Sequence, residues 1–280
     1  MKDDLGNRMK DSYENRTRFM LGRRSYTLMR IDGKAFHTYT KGLDRPFDAG
    51  LIYDMDETTK YLCKNIQGAK FGYVQSDEIS ILITDFDDIA SEMWFDGNLQ
   101  KMCSISASLA TAEFNRLRMK RFCIEKYKGL PFESIFEQKV ATFDSRVFQI
   151  AQPIEVENYF IWRQKDATRN SISSVAQSLY SHKELNGKSS DEQQEMSFQK
   201  GINWNDYTSR QKRGGFISKV TEEWVKSRGS KTPGCLKSDL YMNPEISMNY
   251  PETYVRSTWK TLDCPIFTAD REFLSERIPR

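Results

Sequence analysis

Two carboxylates in this chain are spaced for metal chemistry. Asp32 follows a short apolar run, residues 26–31 (YTLMRI), and Asp77 sits in the polar link Ser76-Asp77-Glu78 between two further apolar runs. If the first and third strands of a sheet are neighbours, the end of one meets the hairpin tip at the start of the other. Both carboxylates then converge on one sheet edge. Such a pair suits Mg²⁺, a hard cation that takes few protein carboxylates and completes its octahedron with substrate phosphates. Two ions held this way can activate an attacking oxygen and neutralise a leaving pyrophosphate. Gly33 lets the backbone approach a phosphate and leaves its carbonyl open to a metal, and the amides of Lys34, Ala35, Phe36 and His37 are placed to cradle a triphosphate. Singly, Asp-Gly after a strand is an ordinary turn and Ser-Asp-Glu an ordinary hairpin. Their conjunction, with the two carboxylates 45 positions apart, carries the metal reading.

The elements that must position them can be read from periodicity. Residues 26–31 predict a buried strand. Asp48 reads as an N-cap, and behind it Leu51, Met55, Thr58, Leu62 and Ile66 recur at helical spacing. Residues 71–75 and 79–83 predict a hairpin, with Ile79, Ile81 and Ile83 on one face. Met102, Ile105, Leu109 and Ala112 predict a second helix, in which Ser104, Ser106, Ala107 and Ser108 permit close packing on a sheet. Residues 142–150 supply a fourth strand. The order strand-helix-strand-strand-helix-strand is the ferredoxin-like α+β pattern, and many unrelated functions use it.

Before this core, the polar first 24 residues predict a helix ending near Gly22. After it, residues 156–180 predict a helix with Ile172, Val175, Ala176 and Leu179 on its apolar side, and residues 182–199 predict a polar loop. A basic, glycine-bearing stretch follows (Arg210-Gln211-Lys212-Arg213-Gly214-Gly215). Pro233, Pro244, Pro251, Pro265 and Pro279 then predict an irregular C-terminal extension. The predicted organisation is a catalytic domain over 1–152 and a helical and irregular extension over 153–280, packed together as one unit.

Composition narrows the chemistry further. At about 150 residues per domain, 280 residues make one large domain or two small ones. No apolar run approaches the roughly 18 residues of a membrane helix, and the start Met1-Lys2-Asp3-Asp4 lacks a signal-peptide layout. With a mean hydropathy of −0.68, the expectation is a soluble cytoplasmic protein. A net charge of +3 is far from that of a dedicated nucleic-acid clamp, yet permits a local basic groove. Five cysteines without a CxxC pair and two histidines, His37 and His182, argue against a zinc site, a disulfide scaffold and Cys-His catalysis. Carboxylates and a hard metal remain.

The segments Arg30-Ile31-Asp32-Gly33-Lys34-Ala35-Phe36-His37 and Gly72-Tyr73-Val74-Gln75-Ser76-Asp77-Glu78-Ile79-Ser80 resemble the two signature blocks of the tRNA-histidine guanylyltransferase (Thg1) family, which includes the Thg1-like 3′-to-5′ polymerases. Arg45-Pro46-Phe47-Asp48, Trp94-Phe95 with Lys101, Phe143-Asp144-Ser145-Arg146 and Trp162-Arg163-Gln164 agree with it, and the resemblance spans roughly residues 5–220. It implies a polymerase-like palm and an enzyme that adds nucleotides to the 5′ end of tRNA with Mg²⁺. A 5′-monophosphate is first adenylylated with ATP, and the 3′-hydroxyl of GTP or another nucleoside triphosphate then attacks the activated end.

By position, the resemblance makes Asp32 and Asp77 side-chain ligands of two Mg²⁺ ions and Gly33 a carbonyl ligand, with Glu78 as a supporting catalytic carboxylate. Residues Asp32 to His37 with Ser76 line the nucleotide, Arg45 and Lys101 contact phosphates, and Asp48 lies near the guanine base. It also implies a homotetramer. Members specific for histidine tRNA carry His-Ile-Asn-Asn after an Arg-Gln pair. Here Thr168-Arg169-Asn170-Ser171 stands in that place, which points to the Thg1-like branch and template-dependent repair of 5′-truncated tRNA. Strict guanylylation of histidine tRNA is the alternative.

Plainer readings compete at several positions. By residue type alone His37 is a core or capping histidine, and the block match turns it toward a nucleotide contact. Lys212 and Arg213 form a solvated face or, beside Gly214-Gly215, a contact to the tRNA backbone, with Arg169 and Asn170 as further tRNA candidates. The five tryptophans read as packing residues, and Asp85, Asp87 and Asp88 as a turn. Two other functions share the strand order, a nucleotide cyclase and a non-catalytic RNA-binding module. The second reads bases with aromatics on its central strands, whereas this hairpin carries Asp77 and Glu78 at its tip.

Overall fold

The structure, a computed structural model, describes residues 3–125, 139–225 and 253–280. Cys235, Pro233, Pro244 and Pro251 lie outside the described residues. Two compact units divide the chain, one of residues 1–217 with 261–280 and one of residues 218–260.

In the larger unit, strands β1 (Tyr26–Gly33), β2 (Ala69–Gln75), β3 (Glu78–Ile83) and β4 (Phe143–Ile150) lie in the order β4-β1-β3-β2. Each described pairing is antiparallel. Helix α1 (Asp4–Ser12) precedes them, and α2 (Phe36–Tyr39) and α3 (Ala49–Asn65) separate β1 from β2. Helix α4 (Leu99–Glu125) separates β3 from β4, which completes the predicted ferredoxin-like order. The predicted N-terminal helix stops at Ser12, ten residues short of Gly22, and a 3₁₀ turn follows at Glu14–Thr17. None of the residues of α1 is buried, so no packed face holds the helix beyond its own cap.

Asp48 caps α3, its Oδ1 accepting from the Leu51 amide at 2.6 Å, and Met55, Thr58, Leu62 and Ile66 are buried as their spacing predicts. Glycine is needed at position 72, because a Cβ there would stand 2.7 Å from Thr59 Cγ2 and 3.0 Å from Cys63 Sγ. On α4 the buried face is Met102, Ser106, Ala110 and Phe114; of the predicted residues Met102 is buried, whereas Ile105, Leu109 and Ala112 are not. Ile105 is 38% exposed. Ser106, one of the small residues predicted to pack closely on a sheet, does so and donates to Ser145 Oγ at 2.8 Å, so the apolar spacing alone misplaces the phase.

The opposite face of the sheet is covered by α5 (Pro153–Leu179). Tyr159 and Phe160 of α5 pack there with Tyr26, Leu28, Phe71 and Leu82, joined by Phe216 and Phe267. All six residues of β3 are therefore buried, including Ser80, whose hydroxyl bonds the Tyr159 hydroxyl at 2.8 Å. Residues 182–199, predicted as a loop, form α6 (His182–Leu185) and α7 (Ser190–Gln199). Both start on capping boxes, Ser181 with Glu184 and Ser189 with Glu192. The short α8 (Ser209–Arg213) follows, and its Arg210 reaches the buried Asp56 of α3 at 2.7 Å.

The smaller unit holds most of β5 (Gly215–Val225) and β6 (Thr253–Leu262), whose Thr221 and Ser257 hydroxyls bond at 3.0 Å. Cys63, Cys103, Cys123 and Cys264 are all free thiols. Burial raises Cys63 and pushes Cys264 up to about 12, so both are protonated and unreactive. No helix among the described residues is long and apolar enough to cross a membrane.

Candidate active site

The register of the sheet assembles the site. Asp32, next to last in β1, stands opposite Glu78 of β3 on one side and Asp144 of β4 on the other. Gln75 pairs with Glu78, so Ser76 and Asp77 alone make the turn, and Ser76 takes a left-handed backbone at φ 47°. The Gly33 amide donates to the Asp77 carbonyl at 3.1 Å and holds the end of β1 against the hairpin tip. The predicted convergence of Asp32 and Asp77 is thus the geometry found.

Three carboxylates at one sheet end repel one another, and the surrounding groups set which stays ionised. Burial pushes Asp77 up to about 6, helped by Asp32 and Glu78 and opposed by hydrogen bonds from Ser76 and its own amide. Burial also raises Glu78, but Arg163 grips it at 2.6 and 2.7 Å and Arg30 at 2.6 Å. That bidentate geometry keeps Glu78 a carboxylate. Glu78 therefore anchors α5 to the hairpin, while Asp32 and Asp77 face the open cavity.

These residues fit a divalent cation of the Mg²⁺ type. No group of three His, Cys, Asp or Glu side chains among the described residues could hold a metal alone. Two acid side chains and a backbone carbonyl leave the remaining positions to water and phosphate oxygens, as Mg²⁺ prefers. A cation there would also offset the burial, and the smaller repulsion from Asp32 and Glu78, that raise Asp77.

Two adjoining cavities open at this edge and share Gln75, Ser76, Asp77, Asn170, Ser174 and Gln177. One, of about 380 Å³, lies over Arg30, Asp32, Glu78 and Arg163. The other, of about 640 Å³, is bordered by Gly33, Ala35, His37, Arg45 and Asp48. Gly33 is required because a Cβ would stand 2.2 Å from the Phe36 ring, which packs on Phe114 and Phe143. Ala35 takes a left-handed backbone at φ 53° and turns the chain into α2. One predicted cradle residue drops out. The Lys34 amide donates to the Thr142 carbonyl at 2.8 Å, which leaves the amides of Ala35, Phe36 and His37 without a protein acceptor among the described residues.

The remaining candidates divide. Asp48 borders the larger cavity with Oδ1 accepting from the Leu51 amide as the cap of α3 and Oδ2 accepting from the Asp44 amide at 3.3 Å. Lys101, at the start of α4, lies 6.0 Å from the Phe95 ring and borders neither cavity. Asn170 borders both, whereas Arg169 next to it is paired with Asp166 at 2.6 Å and faces elsewhere. Lys212 donates to the Asn205 carbonyl at 2.7 Å, and Arg213 borders neither cavity.

A polar stripe of α5, Arg163, Asp166, Asn170, Ser174 and Gln177, borders the smaller cavity; the sequence offers Asn170 as a tRNA candidate and places Arg163 in a matching segment, but leaves Asp166, Ser174 and Gln177 unmarked. The stripe's steps of three and four were visible, opposite the apolar side that was read. Gln75 is also unmarked; it is 5% exposed, and its Oε1 has no hydrogen-bond partner among the described residues.

Known proteins give this geometry a family. The model of the family described as tRNAHis guanylyltransferase (Thg1) matches residues 6–151, over half the chain. A bacterial tRNA(His) guanylyltransferase (Thg1)-like protein solved in complex with ATP is 39% identical, with a TM-score of 0.77 and 99% of both chains covered. A bacterial protein of the same description solved with GTP gives a TM-score of 0.70 at the same identity and coverage. The tRNA(His) guanylyltransferase of Saccharomyces cerevisiae is 26% identical over 70% of this chain and 84% of its own. An uncharacterised mimivirus protein is 27% identical over 64% of each chain, so this chain spans under two thirds of that relative. With its signature carboxylates on the hairpin edge of a ferredoxin-like sheet, the chain belongs to the tRNAHis guanylyltransferase (Thg1) family of nucleotidyltransferases.

Proposed function

We propose that this enzyme adds nucleotides to the 5′ end of tRNA in the 3′-to-5′ direction and repairs 5′-truncated tRNA against a template. The observation that carries the reading is the pairing of Asp32 and Asp77 beside two joined cavities, room for a nucleoside triphosphate and for a second phosphorylated end. The relatives solved with ATP and with GTP support nucleotide binding at such a site. Asp32, Asp77 and the Gly33 carbonyl would hold Mg²⁺, whose chemistry there is activation of a 3′-hydroxyl and neutralisation of the leaving phosphate.

The chain's own groups do the positioning. The amides of Ala35, Phe36 and His37, with Arg45, bind the triphosphate in the larger cavity, and Asp48 faces its base. Glu78, fixed by Arg30 and Arg163, holds the hairpin so that Asp77 keeps its place opposite Asp32. The 3′-hydroxyl of the bound nucleotide then attacks the activated 5′ phosphorus. AMP leaves from an adenylylated end and pyrophosphate from a triphosphate end. Asn170 is the one residue of the Thr168-Arg169-Asn170-Ser171 segment that borders both cavities, and departure from His-Ile-Asn-Asn favours templated addition over strict guanylylation of histidine tRNA. Incubation of a 5′-truncated tRNA with ATP, GTP, the other nucleoside triphosphates and Mg²⁺ tests the reading.

A further inference from the structure

A third cavity, of about 660 Å³, lies on the far side of α5 from the catalytic carboxylates. Trp162 and Trp204 wall it with Ile266, and Lys165, Arg169 and Arg213 supply its cations. The tryptophans, read from sequence as packing residues, divide here. Trp204 is 8% exposed and fixed by its Nε1 donating to Ser171 Oγ at 3.1 Å, but Trp162 is 47% exposed. Trp162 is nevertheless held in place, with the Arg163 guanidinium 4.4 Å from its ring centroid and Tyr159 edge-on at 5.9 Å. A large aromatic kept rigid and left open to solvent is a stacking surface prepared in advance. Among the described residues, neither the Lys165 ammonium nor the Arg213 guanidinium has an ion-pair partner.

We infer that this cavity binds an unpaired nucleotide of RNA, its base stacked on Trp162 and its phosphate held by Lys165, Arg169 and Arg213. Indoles beside cations are what single-stranded nucleic acid recognition uses, because every base has a π-face and every link a phosphate. Placement favours RNA over an acidic peptide. Arg169 faces this cavity while Asn170, the next residue on the same helix, faces the catalytic ones. The two sites are separated by about one helix diameter, roughly 10 Å, so neighbouring nucleotides of one molecule can occupy both. A chain of charges also joins them, from Arg169 to Asp166 (2.6 Å), to Arg163 (3.0 Å), to Glu78 (2.6 Å). The inference rests on the tRNA reading above, and its test separates the two.

The test is binding of a labelled 5′-truncated tRNA to the full chain, without turnover, across a range of salt concentrations. Trp162→Ala is expected to weaken binding about ten-fold, within the range of losing one stacked base, and Trp162→Phe to recover most of it. Lys165→Ala is expected to lower the slope of log affinity against log salt by about one, with ATP affinity unchanged. Wild-type tRNA affinity in Trp162→Ala overturns the inference even if 5′ extension is active. Equal losses in Trp162→Ala and Trp162→Phe, or an unchanged salt slope in Lys165→Ala, also overturn it. A dependence of RNA binding on these residues supports it even if no extension is found.

Discussion

Asp77 shows how one residue carries the conflict built into this site. Burial, with a smaller contribution from Asp32 and Glu78 beside it, pushes its carboxyl up to about 6 in the metal-free protein. A carboxyl raised by folding binds its proton more tightly in the native state. It therefore adds most to stability below the unfolded value and loses that contribution as pH rises through about 6. The loss amounts to about 2–3 kcal/mol for a shift of this size. Relative to Asp77→Asn, the metal-free wild type is expected to lose urea stability between pH 4 and pH 7, and Mg²⁺ to restore part of it at pH 7. Parallel pH profiles for the two proteins would show that Asp77 is not strained. Asp32, Gly33 and Asp77 were legible in sequence because each follows or links an apolar run. Arg163 lies in a further segment that agrees with the family, but its grip on Glu78 is not legible, since α5 and β3 are joined only by tertiary packing.

At the scale of elements, α5 does two things. Its apolar side closes the sheet, and its polar stripe borders the cavities. Arg163 ties the two together with 3% of its side chain exposed, against 7% for Glu78. Removing one partner of a buried pair strands the other charge, so Arg163→Met is expected to cost about 3–5 kcal/mol in urea unfolding, less the share Arg30 retains. A loss below about 1 kcal/mol would show the pair to be solvated. The βαββαβ order and the Asp48 cap were legible because apolar spacing and capping chemistry are local.

The misassigned elements have physical reasons. The apolar spacing of α4 misplaces its phase because Ser106, one of the small residues that permit close packing, occupies the sheet-facing position. The polar composition of α6 and α7 predicts a loop, although both capping boxes stand in the sequence. Ser189→Ala is expected to cost α7 about 1 kcal/mol. Hydrogen exchange should rise in residues 190–199 while β1 and β3 keep their protection. Unchanged exchange there would mean that packing, not the cap, holds α7.

For the whole molecule, the net charge of +3 conceals an uneven distribution. Asp32, Asp77 and Glu78 make one end of the sheet acidic, while Arg45 borders the larger cavity and Lys165, Arg169 and Arg213 surround an aromatic cavity across α5. A chain with this arrangement can bind phosphates and RNA without being basic overall, because a local field rather than the sum acts on a bound anion. The scarcity of histidine and the absence of a CxxC pair direct attention to carboxylates, while net charge says little. The decisive measurement is the extension assay with a 5′-truncated tRNA, run for wild type, Asp32→Ala and Asp77→Ala with Mg²⁺ and all nucleoside triphosphates. Stepwise 5′ addition opposite template bases is expected of the wild type and a loss of at least about a thousand-fold in each variant, beyond the roughly hundred-fold of losing one electrostatic contact. No 5′ addition by the wild type, or full activity in either variant, would contradict the proposed function.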